Sequence, residues 1–170
     1  MTALRASEID SFVARPDARA VVLVFGPDTG LVSERVEALI RASVDDPNDP
    51  FALVRLDGDE LASDPARLID EATTIPLFGG RHEVAVAGDL KRGAPLRNVC
   101  ERARNAAAIP CYADAERDLT RLVDEELREA GLTIARDARA TLIPLLGGDR
   151  RASRAELRKL ALYARGKERI

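Results

Sequence analysis

Tryptophan is missing from the chain, aromatic residues amount to 4%, and His82 is the only histidine. So few rings exclude a stacking platform for single-stranded bases or an aromatic-caged pocket, and leave Leu, Val, Ile and Ala to fill the core. One histidine and two cysteines, Cys100 and Cys111, which form no CxxC pair, do not make a zinc site. No other metal or cofactor is implied, and both thiols are expected to be reduced core residues of a cytosolic protein. Long hydrophobic runs are also lacking: the longest, residues 20–25, is far too short to span a bilayer. The first ten residues carry Glu8 and Asp10 and no apolar stretch before a cleavage site, so no signal peptide is expected and the location reads as cytoplasmic, without a membrane partner. Positive charge is not in excess either. Against 29 Asp and Glu stand 26 Lys and Arg, a net charge of -3, so no global field recruits nucleic acid and DNA is expected to be met only indirectly. Lysine occurs only at Lys91, Lys159 and Lys167; arginine carries the rest.

What the chain does have is 170 residues, 46% of them hydrophobic and 32% charged, enough for a packed core in one medium domain or two small ones. Residues 20–25 (AVVLVF) form a continuous apolar run ending at Gly26 and Pro27, the pattern of a doubly covered, parallel strand. Leu31, Val32, Val36, Leu39 and Ile40 then recur at helical spacing. A second such unit combines a strand at 51–56 with a helix capped by Asp64 and begun by Pro65. A third strand is read from His82 to Ala87, with a helix marked by Leu96, Val99, Cys100 and Ala103, and a fourth strand at 106–112. This alternation predicts an α/β open parallel sheet flanked by helices over residues 1–112, and leaves the strand order open.

From Ala113 the strand signals stop. Leu119, Leu122, Val123 and Leu127 share a helix face, with Gly131 as its C-terminal cap. A second helix is read at 135–146, stopped by Gly147 and Gly148, and a third opens on a capping box of Ser153 and Glu156 with Leu157, Leu160, Ala161 and Ala164 as its stripe. Residues 113–170 are thus predicted to be a three-helix module packed on the sheet.

Two segments carry functional information. The turn after the first strand reads Gly26, Pro27, Asp28, Thr29, Gly30, Leu31, Val32, Ser33, the place where nucleotide phosphates meet backbone amides and a helix N-terminus. A working phosphate loop, GxxxxGK[ST], needs its last glycine and lysine where Leu31 and Val32 stand, so the architecture is kept and the cation is lost. ATP hydrolysis is not expected, and Ser33 reads as a helix-surface residue. The second segment is Ile75, Pro76, Leu77, Phe78, Gly79, Gly80, bulky apolar side chains in a loop bounded by Pro and Gly. It fits either a core plug under the sheet or an exposed knob that inserts into a partner protein. Asp89 reads as a structural turn, and the acidic stretches at 45–46 and 57–60 as solvated loops. His82 has no acid partner or nucleophile motif beside it.

Taken together, residues 24–35, 54–58, 75–81, 87–93, 109–112 and 145–150, with Glu156, Leu157, Lys159 and Leu160, resemble the delta subunits of bacterial DNA polymerase III clamp loaders. The resemblance implies an AAA+-type α/β domain with a degenerate phosphate loop followed by a helical lid. It further implies a role in DNA replication without catalysis by this chain: binding the sliding clamp and opening it beside other loader subunits that hydrolyse ATP. It assigns the clamp wedge to Ile75, Leu77 and Phe78, shaped by Pro76 and Gly79, and so favours the exposed knob. Burying such a Leu and Phe in a pocket stabilises a complex by ~1.5–3 kcal/mol each.

The chain departs from that family twice. One strand and helix expected before residues 87–93 have no room, so the sheet is expected to be shortened around residues 83–86. The collar that assembles the loader is expected after residue 170, and without it assembly with other subunits is weakened. Two other readings compete: a small phosphate-loop-like hydrolase or kinase using Gly26 to Ser33, and a regulatory fragment that keeps the fold alone.

Overall fold

The computed structural model describes residues 4–16, 21–44, 46, 64 and 84–170. Its elements are α1 (Ala6–Ala14), β1 (Val21–Phe25), α2 (Thr29–Ser43), β2 (Val84–Gly88), α3 (Pro95–Arg102), β3 (Ala106–Pro110), α4 (Glu116–Glu129), α5 (Arg136–Leu142), a 3-10 turn (Ile143–Leu145) and α6 (Arg150–Tyr163). The chain is mixed α/β. The strand and helix read at 51–72, the apolar segment at 75–80 and His82 lie outside the described residues.

Two compact units result: Met1–Phe25 with Arg35–Pro110, and Gly26–Glu34 with Cys111–Ile170. The segment Gly26–Glu34 therefore groups with the C-terminal helices, across the linear division of the chain.

In the first unit β1 is central, in the order β2-β1-β3, and both pairings are parallel. Val21 is in register with Val84 on one side and Ala106 on the other. One face of β1 supplies Leu23 and Phe25 to a cluster with Cys100, Ala106 and Ala108, while Val22, Val24, Ala107 and Ile109 on the other face are equally buried. Burial on both faces is the reason the run at 20–25 does not alternate. The alanines of β3 let α3 pack close: Cys100 is buried there with its thiol pushed up by burial, and the Arg97 guanidinium lies 4.5 Å from the Phe25 ring. Leu96 and Val99, expected on the packed side of α3, are instead exposed. Pro95 sets the start of α3, and that start turns Cys100 and Ala103 inward.

Helix α1 is an element the sequence reading did not include. Ile9 and Phe12 are its buried residues, and the Arg5 amide donates to the Glu8 carboxylate at 2.9 Å.

In the second unit, α4, α5 and α6 surround Leu122, Val123, Leu127, Leu132, Leu157 and Ala164. Gly131, at φ 71°, ends α4 as expected of a glycine cap, with its amide donating to the Arg128 carbonyl and the Leu132 amide to Leu127. The helix expected over 135–146 is shorter: it ends at Leu142 and tightens into a 3-10 turn, because Pro144 has no amide to continue the ladder. The last helix also starts earlier than its expected capping box. Asp149 is the cap, accepting from the Ala152 amide at 2.8 Å, so Ser153 lies inside the helix, buried, with its hydroxyl donating to the Asp149 carbonyl. Glu156 pairs instead with Lys159. The chain end is held by a parallel bridge between Thr133 and Arg169, with Ile170 and Thr133 hydrogen bonded at 2.9 Å.

Candidate functional site

Every part of the loop at 26–33 falls within the second unit. Gly26 adopts φ 147°, and a Cβ there would stand 2.0 Å from the Cys111 carbonyl oxygen, so only glycine fits. The same carbonyl accepts from the Asp28 amide at 3.3 Å. Pro27 and Thr29 are exposed, whereas Asp28 is 2% exposed.

Asp28 is the N-cap of α2: its Oδ1 accepts from the Leu31 amide at 2.8 Å. The same oxygen accepts from the Arg150 amide, the first of α6, at 3.1 Å. Asp149 mirrors this arrangement. It caps its own helix at Ala152, and its Oδ2 accepts from the Gly30 amide at 2.8 Å and the Thr29 hydroxyl at 3.1 Å. Two helix N-termini, each with a partial positive charge, are thus bridged by two carboxylates. Hydrogen bonds from Ala152, and then from Gly30 and Thr29, hold the Asp149 carboxyl below the usual carboxylate range.

Leu31 and Val32, at the positions of the missing glycine and lysine, are both buried, at 6% and 8% exposure. The Ser33 hydroxyl donates to the Thr29 carbonyl at 2.8 Å, the ordinary bond of a helical serine.

Ion pairs extend the site along α2 and α6. Arg150 meets Asp114 at 2.8 Å and Glu34 at 3.4 Å. Arg154 reaches Glu34 at 2.8 Å and also pairs with Glu126, which takes Arg158 at 3.0 Å. Glu126 is 4% exposed, and these two guanidiniums are the partners that compensate its burial. Burial pushes the Asp114 carboxyl up against the opposing pull of Arg150, with Asp118 and Asp28 adding to the rise. The pairs with Glu34 and Glu126 raise the Arg154 guanidinium further above its already high range.

Among the described residues no three metal-binding side chains gather. Nor, among them, does any helix have the length and apolarity to cross a membrane. Cys100 and Cys111 are buried and are not joined in a disulfide. Asp89 is exposed just after β2. Ile75, Pro76, Leu77 and Phe78 lie outside the described residues.

Sequence reasoning singled out the loop but not its partners. Asp149 and Arg150 entered only through the resemblance, although an aspartate after two glycines and before a helix is a capping signal in its own right. Nothing local marks Asp114, Glu34 or Glu126, whose neighbours come from distant parts of the sequence.

Comparison with solved structures finds a match over 98% of this chain in the Bacillus subtilis DNA clamp loader delta protein YqeN, with a TM-score of 0.53 and 15% sequence identity. The fold is delta-like. The chain spans 60% of the length of that protein. No family model matches the sequence, and no curated protein does.

Proposed function

We propose that this chain is a clamp-loader delta-like subunit that binds the replicative sliding clamp and opens it without hydrolysing ATP. The observation that carries this reading is the delta-like fold along nearly the whole chain. In this reading residues 1–112 are a shortened AAA+-like domain and residues 113–170 its lid. Ile75, Leu77 and Phe78 are the wedge that enters a pocket on the clamp, with Pro76 shaping the loop. Partners are the clamp and the other loader subunits, and DNA is met through them.

The loop supports a binding role over the alternative of a small nucleotide hydrolase or kinase. Phosphoryl transfer needs a cation at the terminal phosphates, and Val32 brings none. Its side chain is buried, as is that of Leu31. Protein recognition asks less of the same scaffold: a rigid body that presents an apolar loop.

Two titrations of the 170-residue chain separate these readings, one with a bacterial sliding clamp and one with ATP and magnesium. Saturable clamp binding with no heat from ATP is expected. Saturable ATP binding with phosphate release, and no clamp binding, would transfer the assignment to the enzyme.

A further inference from the structure

We propose that the carboxylate of Asp149 is a built-in anion at the N-terminus of α2, a latch that keeps the loop and α6 in one arrangement and excludes phosphate from the loop. The inference concerns the second unit alone and stands whether or not the chain opens a clamp.

The N-terminal amides of an α-helix have no partner within the helix, which is why they attract phosphate. Here those of Gly30 and Leu31 are already taken, by Asp149 at 2.8 Å and Asp28 at 2.8 Å. The Thr29 hydroxyl is taken as well, by Asp149. Space is filled along with valence. Asp149 Oδ1 lies 2.4 Å and the Arg151 amide nitrogen 2.6 Å from where a Cβ on Gly30 would project, so the close approach that glycine permits is used by the chain itself.

Charge acts in the same direction. A phosphate entering here would meet two aspartates, and the lysine that would offset its charge is replaced by Val32. Two cations of the network are engaged elsewhere: Arg150 with Asp114 and Glu34, and Arg154 with Glu34 and Glu126.

The latch holds at two levels. Asp28 and Asp149 join the two helix starts, and one turn further along Glu34 of α2 takes Arg150 and Arg154 of α6. In a nucleotide-dependent protein, a bound phosphate would make such a connection and its loss would release it. Here a covalently attached carboxylate makes it permanently, so the arrangement is independent of ligand.

Amide hydrogen exchange with pyrophosphate as the probe tests the latch. Gly30, in the first turn, has no helical carbonyl to bond, so protection of its amide reports Asp149. In the wild-type chain the Gly30 amide is expected to be protected by roughly tenfold or more, and to be unmoved by millimolar pyrophosphate. In Asp149→Ser that protection is expected to fall by roughly tenfold while Leu31, capped by Asp28, keeps its own. Pyrophosphate is expected to restore protection at Gly30 in the variant beyond what sodium chloride of equal ionic strength restores. An unprotected Gly30 amide in the wild type overturns the proposal without need of any variant. So does a saturable response of that amide to pyrophosphate in the wild type, or protection that survives loss of the carboxylate.

Discussion

The side chain of Asp28 accepts the Arg150 amide at 3.1 Å while that of Asp149 accepts the Gly30 amide at 2.8 Å, so each aspartate serves the first turn of the other's helix. Each also caps its own helix, at Leu31 and Ala152. This exchange joins a segment early in the chain to one near residue 150, and makes the loop after β1 part of the helical unit.

Because Asp28 is buried and serves two amides, its removal leaves both without an acceptor. Asp28→Ala is expected to cost about 2 kcal/mol of stability. Urea unfolding followed by circular dichroism checks this, with the midpoint lowered and the slope unchanged.

Gly30 has no room for a side chain, whereas among the described residues nothing approaches a Cβ at Gly88. Gly30→Ala should therefore destabilise by about 2 kcal/mol and Gly88→Ala by less than about 0.5 kcal/mol. Melting temperatures of the two variants, measured side by side, give the comparison.

Glu126 is the buried acid between Arg154 and Arg158. Glu126→Ala is expected to cost about 1–2 kcal/mol, the loss of its hydrogen bonds, since Arg154 keeps Glu34 and Arg158 is largely exposed. In a double-mutant cycle with Arg154→Ala the two losses should fall short of adding by the shared Glu126–Arg154 pair alone, because Arg154 also serves Glu34.

Three aspartates of the second unit are shifted in opposite directions. Asp149 is held below its ordinary value, so it stabilises the fold above the unfolded-state value of about 3.9 and that contribution is lost as pH falls through its folded value. Asp124, held down by its hydrogen bond from Arg139, behaves alike. Asp114 is held up by burial, so the fold gains from its protonation as pH falls through that raised value toward about 3.9. Carboxyl carbon NMR titration should place the Asp114 midpoint above those of Asp149 and Asp124.

Much of this architecture was legible in the sequence where burial is simple. The run at 20–25 is apolar throughout because both faces of β1 are covered, and the heptad-like face of α4 buries Leu119, Leu122, Val123 and Leu127 as its spacing implies. Capping was misread where two acceptors compete: Ser153 and Glu156 have the spacing of a capping box, but Asp149 starts the helix one turn earlier. Strand order and the ion-pair network were illegible for a common reason. Both depend on residues far apart in the chain, such as Glu34 with Arg154, whose meeting no local pattern records. That Val32 stands where a phosphate loop has its lysine could be read directly; that Asp149 and Asp28 accept the amides of Gly30 and Leu31 could not.

We propose that this scaffold grips another protein through an apolar loop and binds no nucleotide. Calorimetric titration of a bacterial sliding clamp, without nucleotide, into the wild-type chain and into Leu77→Ala/Phe78→Ala tests it most directly. The account predicts binding by the wild type that weakens by about 3 kcal/mol, more than a hundredfold, in the double variant, with the thermal unfolding of the chain unchanged. Equal affinity of the two chains for the clamp would contradict it.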